Sequence, residues 1–479
     1  MSNRKPYPLC HWIDGRPRTP VGARYIDVHS PVDRSLVSRV PVGNQADVDA
    51  AVHSAAEAFP RWAGLAPRER GEVLLAIERA LRAQLERLTA IEEAETGKPP
   101  GLIRDELAAS ADYLGFYAAV TRTMGGETFD VGADRHVFTV HEPFGVIAVI
   151  TPWNYSLNQA ARSVAPALAA GNAVVLKPSE WTSSAVFAFA ELATAAGLPD
   201  GLLNVVTGDG PHTGAALVEH PLVGRVTFTG SVAGGREVAA RAAARLIPVT
   251  LELGGKSPHL VFADADLELA ARVVADEFLA NTGQTCSAGT RMLVQRTVHD
   301  EILEAVSDRA RMCRPGADLG PIITEAQYQR VSEYFTVAAA EGALATVGGA
   351  VADDPSLAGG RFVEPTVYAG VRTDMRIGRE EVFGPVLAVS PFDDEQDAIA
   401  MANDSRYGLA AGIWTRDLSR GLRIARALQA GQVYVNGWGA PIEAPFGGCK
   451  DSGYGREKGR AAIAEYTQVK TISVAIASS

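Results

Sequence analysis

The chain has 479 residues, too many for one ordinary core at roughly 100 to 200 residues per domain, so two or three domains are expected. A formal net charge of −11 without any basic block argues against a nucleic-acid partner, because polyanion binders concentrate Lys and Arg. The four cysteines Cys10, Cys286, Cys313 and Cys449 lie far apart without CxxC spacing. They suggest neither a disulfide framework nor a metal site, and they fit a reducing, cytoplasmic setting.

In chain order, the first residues carry charge but no apolar run behind it, and no apolar stretch approaches the ~20 residues of a membrane span. No leader and no membrane partner is expected. From Ala46 to Met124 the pattern is helical, with Leu74, Ile77, Leu81, Leu85, Leu88 and Ile91 recurring three or four apart. Pro67 opens that helix and Gly97 closes it. Short β-branched runs at 146–151, 173–176, 203–206, 226–229 and 260–262 then alternate with Ala-rich helical stretches, which predicts βαβ units and parallel sheet. A second alternating series follows Cys286 through 292–295, 388–390 and 432–436, and 467–476 reads as a lone terminal strand that needs a sheet to join. The expected fold is α/β: two Rossmann-like parallel α/β domains meeting at a cleft, plus a small β element.

Several segments carry chemistry. Cys286 lies in Gly283-Gln-Thr-Cys-Ser-Ala-Gly289, where small neighbours leave a thiolate approachable; the same segment also reads as a buried, inert cysteine. Glu252 enters a Gly-Gly turn, as a water-activating base or as a turn cap. Asn154, in Pro152-Trp153-Asn154-Tyr155 between a strand and a helix, reads as an oxyanion donor or a helix cap. The glycines of 208–214 fail as a dinucleotide fingerprint, since the third is one residue late and no acid follows about 20 positions on. A better phosphate site is Phe228-Thr-Gly230-Ser231, a strand end opening a helix. Lys177-Pro-Ser179-Glu180 offers groups for ribose hydroxyls.

Taken together and in order, PWN, KPSE, FTGS, ELGGKSP, GQTCSAG, EEVFGP and PFGGCKDSGYGRE resemble the aldehyde dehydrogenase superfamily from about residue 10 to the end. The resemblance implies Cys286 as nucleophile, Glu252 as general base and Asn154 as oxyanion donor. It implies cofactor contacts from Thr151, Pro152, Trp153, Lys177, Ser179, Glu180, Gly210, Phe228, Gly230, Ser231, Leu253, Gly254, Glu381 and Phe383, with NAD favoured and NADP possible. The reaction implied is oxidation of an aldehyde to its acid through a Cys286 thioester. The rivals are a CoA-acylating enzyme, a non-catalytic family member and a papain-like hydrolase. The resemblance also implies a division into residues 1–123 with 144–254 for the dinucleotide, 255–451 for catalysis, and 124–143 with 462–479 for pairing subunits into a homodimer or homotetramer.

For the aldehyde pocket the resemblance points to Tyr155, Arg162, Thr285, Trp438 and Phe446. Tyr155, Gln159 and Arg162 share one helical face by spacing. Arg162 suits a substrate carboxylate unless a neighbouring acid such as Glu443 neutralises it, and Ala280 takes the place of the second Arg that semialdehyde enzymes use; the other readings are an uncharged aliphatic or aromatic aldehyde held by Tyr155, Trp438 and Phe446, and a betaine-type aldehyde. Cys449 departs from the aromatic or aliphatic residue usual in PFGGxK.

Overall fold

A computed structural model describes residues 7–476; residues 1–6 and 477–479, at the outer ends of the expected first and last segments, lie outside the described residues. The helices come first: α1 (Gln45–Ala63), α2 (Pro67–Ala83), α3 (Leu85–Thr96) and α4 (Pro100–Val120). The helix expected from Pro67 to Gly97 is two helices that break at Gln84. Apolar spacing does not register the break, because Leu74, Ile77, Leu81 and Leu88 on both pieces are wholly buried in one core. Gly97, at φ +65°, closes α3 in the left-handed conformation that glycine adopts without strain.

An eight-stranded sheet has at its centre, in spatial order, Val249–Glu252, Val223–Thr229, Val146–Ile150, Ala173–Lys177 and Leu203–Val205, all parallel. Val146–Ile150 is buried at every position, as expected of a strand covered by helices on both faces. The sheet is not purely parallel. His11–Ile13 adds antiparallel to Val205, and Gly453–Tyr454 adds antiparallel beside Glu252. These edge strands are two or three residues long and remote in sequence, too short for alternation to reveal them.

A seven-stranded sheet runs Leu344–Val347, Thr366–Ala369, Val386–Phe392, Arg291–Gln295, Pro258–Val261, Ala410–Trp414, Gln432–Val435, parallel except for its first strand. The terminal strand Thr467–Ala475 pairs antiparallel with Arg135–Pro143, which also holds Thr128–Phe129. Both parallel sheets bury apolar cores of their own. In the first sheet Ile150 pairs with Lys177 and Thr229 with Glu252, so the segments singled out above leave the carboxyl ends of neighbouring strands, where open α/β sheets bind ligands. Among the described residues no helix is long and apolar enough to cross a membrane.

Candidate active site

Asn154 follows the strand Val146–Ile150 and precedes helix α5 (Ser156–Ala169). It is not the helix cap; that position falls to Tyr155, which therefore precedes the helix instead of sharing a face within it. The Asn154 amide is buried and donates from Nδ2 to the Gln284 carbonyl at 2.9 Å, which orients the amide and leaves its second N–H for another acceptor. Below the turn, the buried Lys98 ammonium donates to Glu92 (2.8 Å), Glu106 (2.6 Å) and the Asn154 carbonyl (3.1 Å), and it lies 5.1 Å from the centre of the Tyr155 ring. A cation fixed by two carboxylates thus anchors the backbone that carries the amide.

Cys286 is reached through a left-handed turn. Asn281, Thr282 and Gly283 have φ of +49°, +55° and +69°. Glycine is required at 283, since a Cβ there would meet the Gly384 carbonyl oxygen at 2.0 Å. Gln284 locks the turn by donating to Asn281 and Pro321 carbonyls and accepting from Ile323 N–H. Gly255 lets the next strand end come close: a Cβ on it would stand 2.7 Å from the Cys286 carbonyl oxygen. Burial pushes the Cys286 thiol up to about 11, with Arg162 pulling it down and Glu252 pushing it further up.

Glu252 ends its strand with only 2% of its surface exposed, and neither carboxylate oxygen has a hydrogen-bond partner among the described residues. A turn cap would bond backbone N–H groups, so the capping alternative does not hold. Burial first, then Glu457, raises its pKa well above the ordinary value, against Arg162, Arg456 and Lys458.

Asn154, Glu252 and Cys286 line one cleft of about 360 Å³ together with Pro152, Trp153, Gly230, Ser231, Gly254, Glu381 and Phe383. The cleft has features suited to a dinucleotide. Ser231 caps the helix Val232–Ala244 by accepting from Gly234 N–H, which turns that helix's N-terminus toward the cleft. A Cβ on Gly230 would meet the Phe228 ring at 2.6 Å, and one on Gly254 would meet the Glu381 carboxylate at 2.1 Å. Glu381 accepts from Gly255 N–H, and burial pushes its carboxyl up to about 7. Trp153 and Phe383 meet edge to face at 5.4 Å.

The other expected contacts are not among the residues that line the cleft. Lys177 donates to the Pro178 and Gly208 carbonyls and lies 3.8 Å from Glu180. Thr151 N–H donates to the Lys177 carbonyl, and Ser179 Oγ accepts from Trp181 N–H. Gly210 starts a short helical turn on Asp209, and Leu253 is buried against Gly235.

The five expected aldehyde-pocket residues lie outside the cleft lining. Tyr155 and Thr285 share a hydroxyl hydrogen bond of 2.9 Å. Trp438 packs on His259 and Tyr434 at 4.4 and 5.2 Å. Arg162 is paired, but not with Glu443: its partner is Glu457, which also accepts from Ser163. Position 443 precedes the PFGG turn, whereas Glu457 is brought beside Arg162 by the reciprocal backbone bonds of Phe446 and Glu457. Cys449 is half-buried against Gly408, its thiol donating to the Gly408 and Gln429 carbonyls at 3.4 Å.

Sequence reasoning missed Gln327 and Arg330. They reach the cleft from the helix Glu325–Ala340 and hold the Glu381–Phe383 backbone, Gln327 donating to the Val382 and Phe383 carbonyls and Arg330 to that of Glu381. They support Phe383 in its left-handed conformation at φ +60°. No local pattern marks them. Glu457 ends the quoted motif PFGGCKDSGYGRE but had no assigned role, and nothing in the sequence singled out Lys98.

The family model described as "Aldehyde dehydrogenase family" matches residues 19–472. A betaine aldehyde dehydrogenase of Cereibacter sphaeroides is 43% identical over 473 residues, 97% of this chain and 96% of that one. Among solved structures, betaine aldehyde dehydrogenase from Staphylococcus aureus in complex with NAD+ superposes with a TM-score of 0.94 at 36% identity, covering 97% of this chain and 94% of that one. An NAD-dependent aldehyde dehydrogenase from Sinorhizobium meliloti gives 0.95 at 38% identity, covering 98% and 95%. The chain belongs to the aldehyde dehydrogenase family.

Proposed function

We propose that this protein oxidises an aldehyde to a carboxylic acid with NAD+, through a thioester on Cys286 that water hydrolyses. The observation that carries the reading is the meeting of Cys286, Glu252 and Asn154 in the cleft whose other lining suits a dinucleotide. Burial holds the thiol up at about 11 while Arg162 favours the thiolate; Cys286 gives its proton to solvent and attacks the aldehyde carbon as the thiolate. The second Asn154 N–H donates to the oxyanion that forms. Bound NAD+ supplies the hydride acceptor, held by the Gly230–Ser231 turn, Lys177 and Glu180 at the ribose, and Glu381 with Phe383 at the other end. Glu252, whose carboxylate oxygens have no hydrogen-bond partner among the described residues, takes a proton from water as it attacks the thioester and passes it to the departing sulfur.

The proposed division into dinucleotide, catalytic and pairing segments is supported by the separate sheets to which most of their strands belong. The strand Thr467–Ala475, with Val469 and Val474 exposed on it, is the face through which two copies pair. The free thiols suit the cytoplasm. The test supplies a panel of aldehydes and NAD+, with and without CoA, and follows reduced nicotinamide. Turnover independent of CoA, and lost in Cys286→Ala, is expected; CoA-dependent turnover, or a fully active Cys286→Ala, would contradict the proposal.

A further inference from the structure

Cys286 lines the cleft, and two cations outside that lining, Arg162 and Lys458, act on it. Phe446 precedes the Gly447-Gly448 turn, and a Cβ on Gly447 would touch Glu252 Oε1 at 2.6 Å, which brings this segment of chain against Glu252. Two cations lie over it. The Arg162 guanidinium and the Lys458 ammonium are each 5.0 Å from the ring centre. Arg162 is 4% exposed and tied to Glu457, yet its Nη2 has no hydrogen-bond partner among the described residues. Lys458 has no salt-bridge partner among the described residues, and it holds a left-handed φ of +56°, unusual for a residue with a side chain.

The charges around Cys286 are uneven. Arg162, Arg456 and Lys458 all act on Glu252, whereas the acid on this side is Glu457, already paired with Arg162. Arg456 is engaged with the Gly448 and Gly455 carbonyls, which leaves Lys458 as the uncommitted cation. Burial first, then Arg162, bring the Lys458 ammonium down to about 8, against the pull of Glu457, Cys286 and Glu252. Across the pocket, half-buried Glu277 acts on Tyr155 and Tyr434, but burial pushes its carboxyl up to about 7, so it carries only part of its charge near neutrality.

A quaternary ammonium aldehyde is recognised by free aromatic faces. Here the Phe446 ring is covered by the protein's own cations, and a third positive charge would be repelled by both. An aldehyde ending in a carboxylate meets the opposite situation: an ammonium and an unpaired guanidinium N–H, both poised for charge-assisted hydrogen bonds.

We propose that Lys458, with Arg162 across Phe446, selects an aldehyde bearing a carboxylate and rejects the trimethylammonium aldehyde for which similar relatives are named. The proposal rests on the aldehyde-oxidising reading above. Lys458 acts on the substrate's remote charge and takes no part in bond making.

The test compares succinic semialdehyde, tert-butylacetaldehyde and betaine aldehyde, the last two matched in shape and differing in charge, in wild type, Lys458→Met and Lys458→Gly; glycine suits the left-handed backbone. In wild type, kcat/KM falls in that order, by about ten-fold from the semialdehyde to betaine aldehyde. Both variants lose about ten-fold on the semialdehyde, keep the neutral aldehyde within about three-fold and gain on betaine aldehyde. Preference for betaine aldehyde over its neutral isostere in wild type, or equal changes on all three, overturns the proposal.

A second measurement needs no turnover: the rate of Cys286 alkylation by iodoacetate relative to iodoacetamide, read by peptide mass. The ratio falls about five-fold in both variants. A falling ratio without oxidation of any aldehyde sinks the activity and keeps the anion-selecting surface; oxidation with an unchanged ratio sinks the surface alone.

Discussion

Cys286 lines a cleft with Trp153, Gly230, Ser231 and Phe383, while Arg162, Phe446, Glu457 and Lys458 form a packed cluster outside that lining. The first side is made largely of backbone: a capped helix end, glycines where a Cβ would collide, and a left-handed Phe383 held by Gln327. The second is made of side chains delivered by segments nearly 300 residues apart, as with Ser163 and Glu457. In the proposed reading, backbone geometry commits the first to the dinucleotide, while side chains leave the second free to change its substrate with few substitutions.

The anchor beneath the Asn154 turn gives the largest expected effect, and it bears on the cleft that Asn154 lines. Lys98→Met leaves Glu92 and Glu106 buried without their cation. Breaking a buried ion cluster in this way costs about 3 to 5 kcal/mol, read as a lower urea midpoint. An unchanged midpoint would mean that the cluster does not hold the turn.

The thiol itself gives a pH signature. With burial holding Cys286 up at about 11, raising the pH populates the thiolate, so its alkylation by iodoacetamide should climb by about ten-fold per pH unit through the alkaline range. Arg162 stabilises the thiolate, so Arg162→Met moves that climb to higher pH. A plateau near neutral pH would contradict this account of the thiol.

On the dinucleotide side the effects are smaller. Glu180 is part-exposed beside Lys177, and its charge disfavours a ribose phosphate. NAD+ should be preferred over NADP+, and Glu180→Gln should narrow the ratio of kcat/KM by about five-fold, with aldehyde preference unchanged. A widened ratio would remove Glu180 from the ribose site.

What the sequence disclosed follows the same division. Alternating runs and the strand-end motifs announced an α/β fold and the family, because periodicity and glycine-dependent turns are local properties of the chain. Pairings across the chain were opaque: Arg162 was matched to Glu443 by nearness to the PFGG turn, whereas a backbone bridge between Phe446 and Glu457 decides its partner. Lys458 carried no signal at all, since its position depends on a left-handed residue inside a loop. The antiparallel edges of the first sheet were missed for a similar reason, being two or three residues long.

The most direct test of the central claim uses Glu252→Gln, which keeps the shape of the side chain and removes the base. Mixed with NAD+ and an aldehyde, this variant should release reduced nicotinamide in a burst of no more than one equivalent per site. Mass spectrometry should then find the acyl group on the Cys286 peptide, with hydrolysis slowed by about 10²-fold or more. Steady turnover at the wild-type rate, or an acyl adduct on any residue other than Cys286, would contradict it.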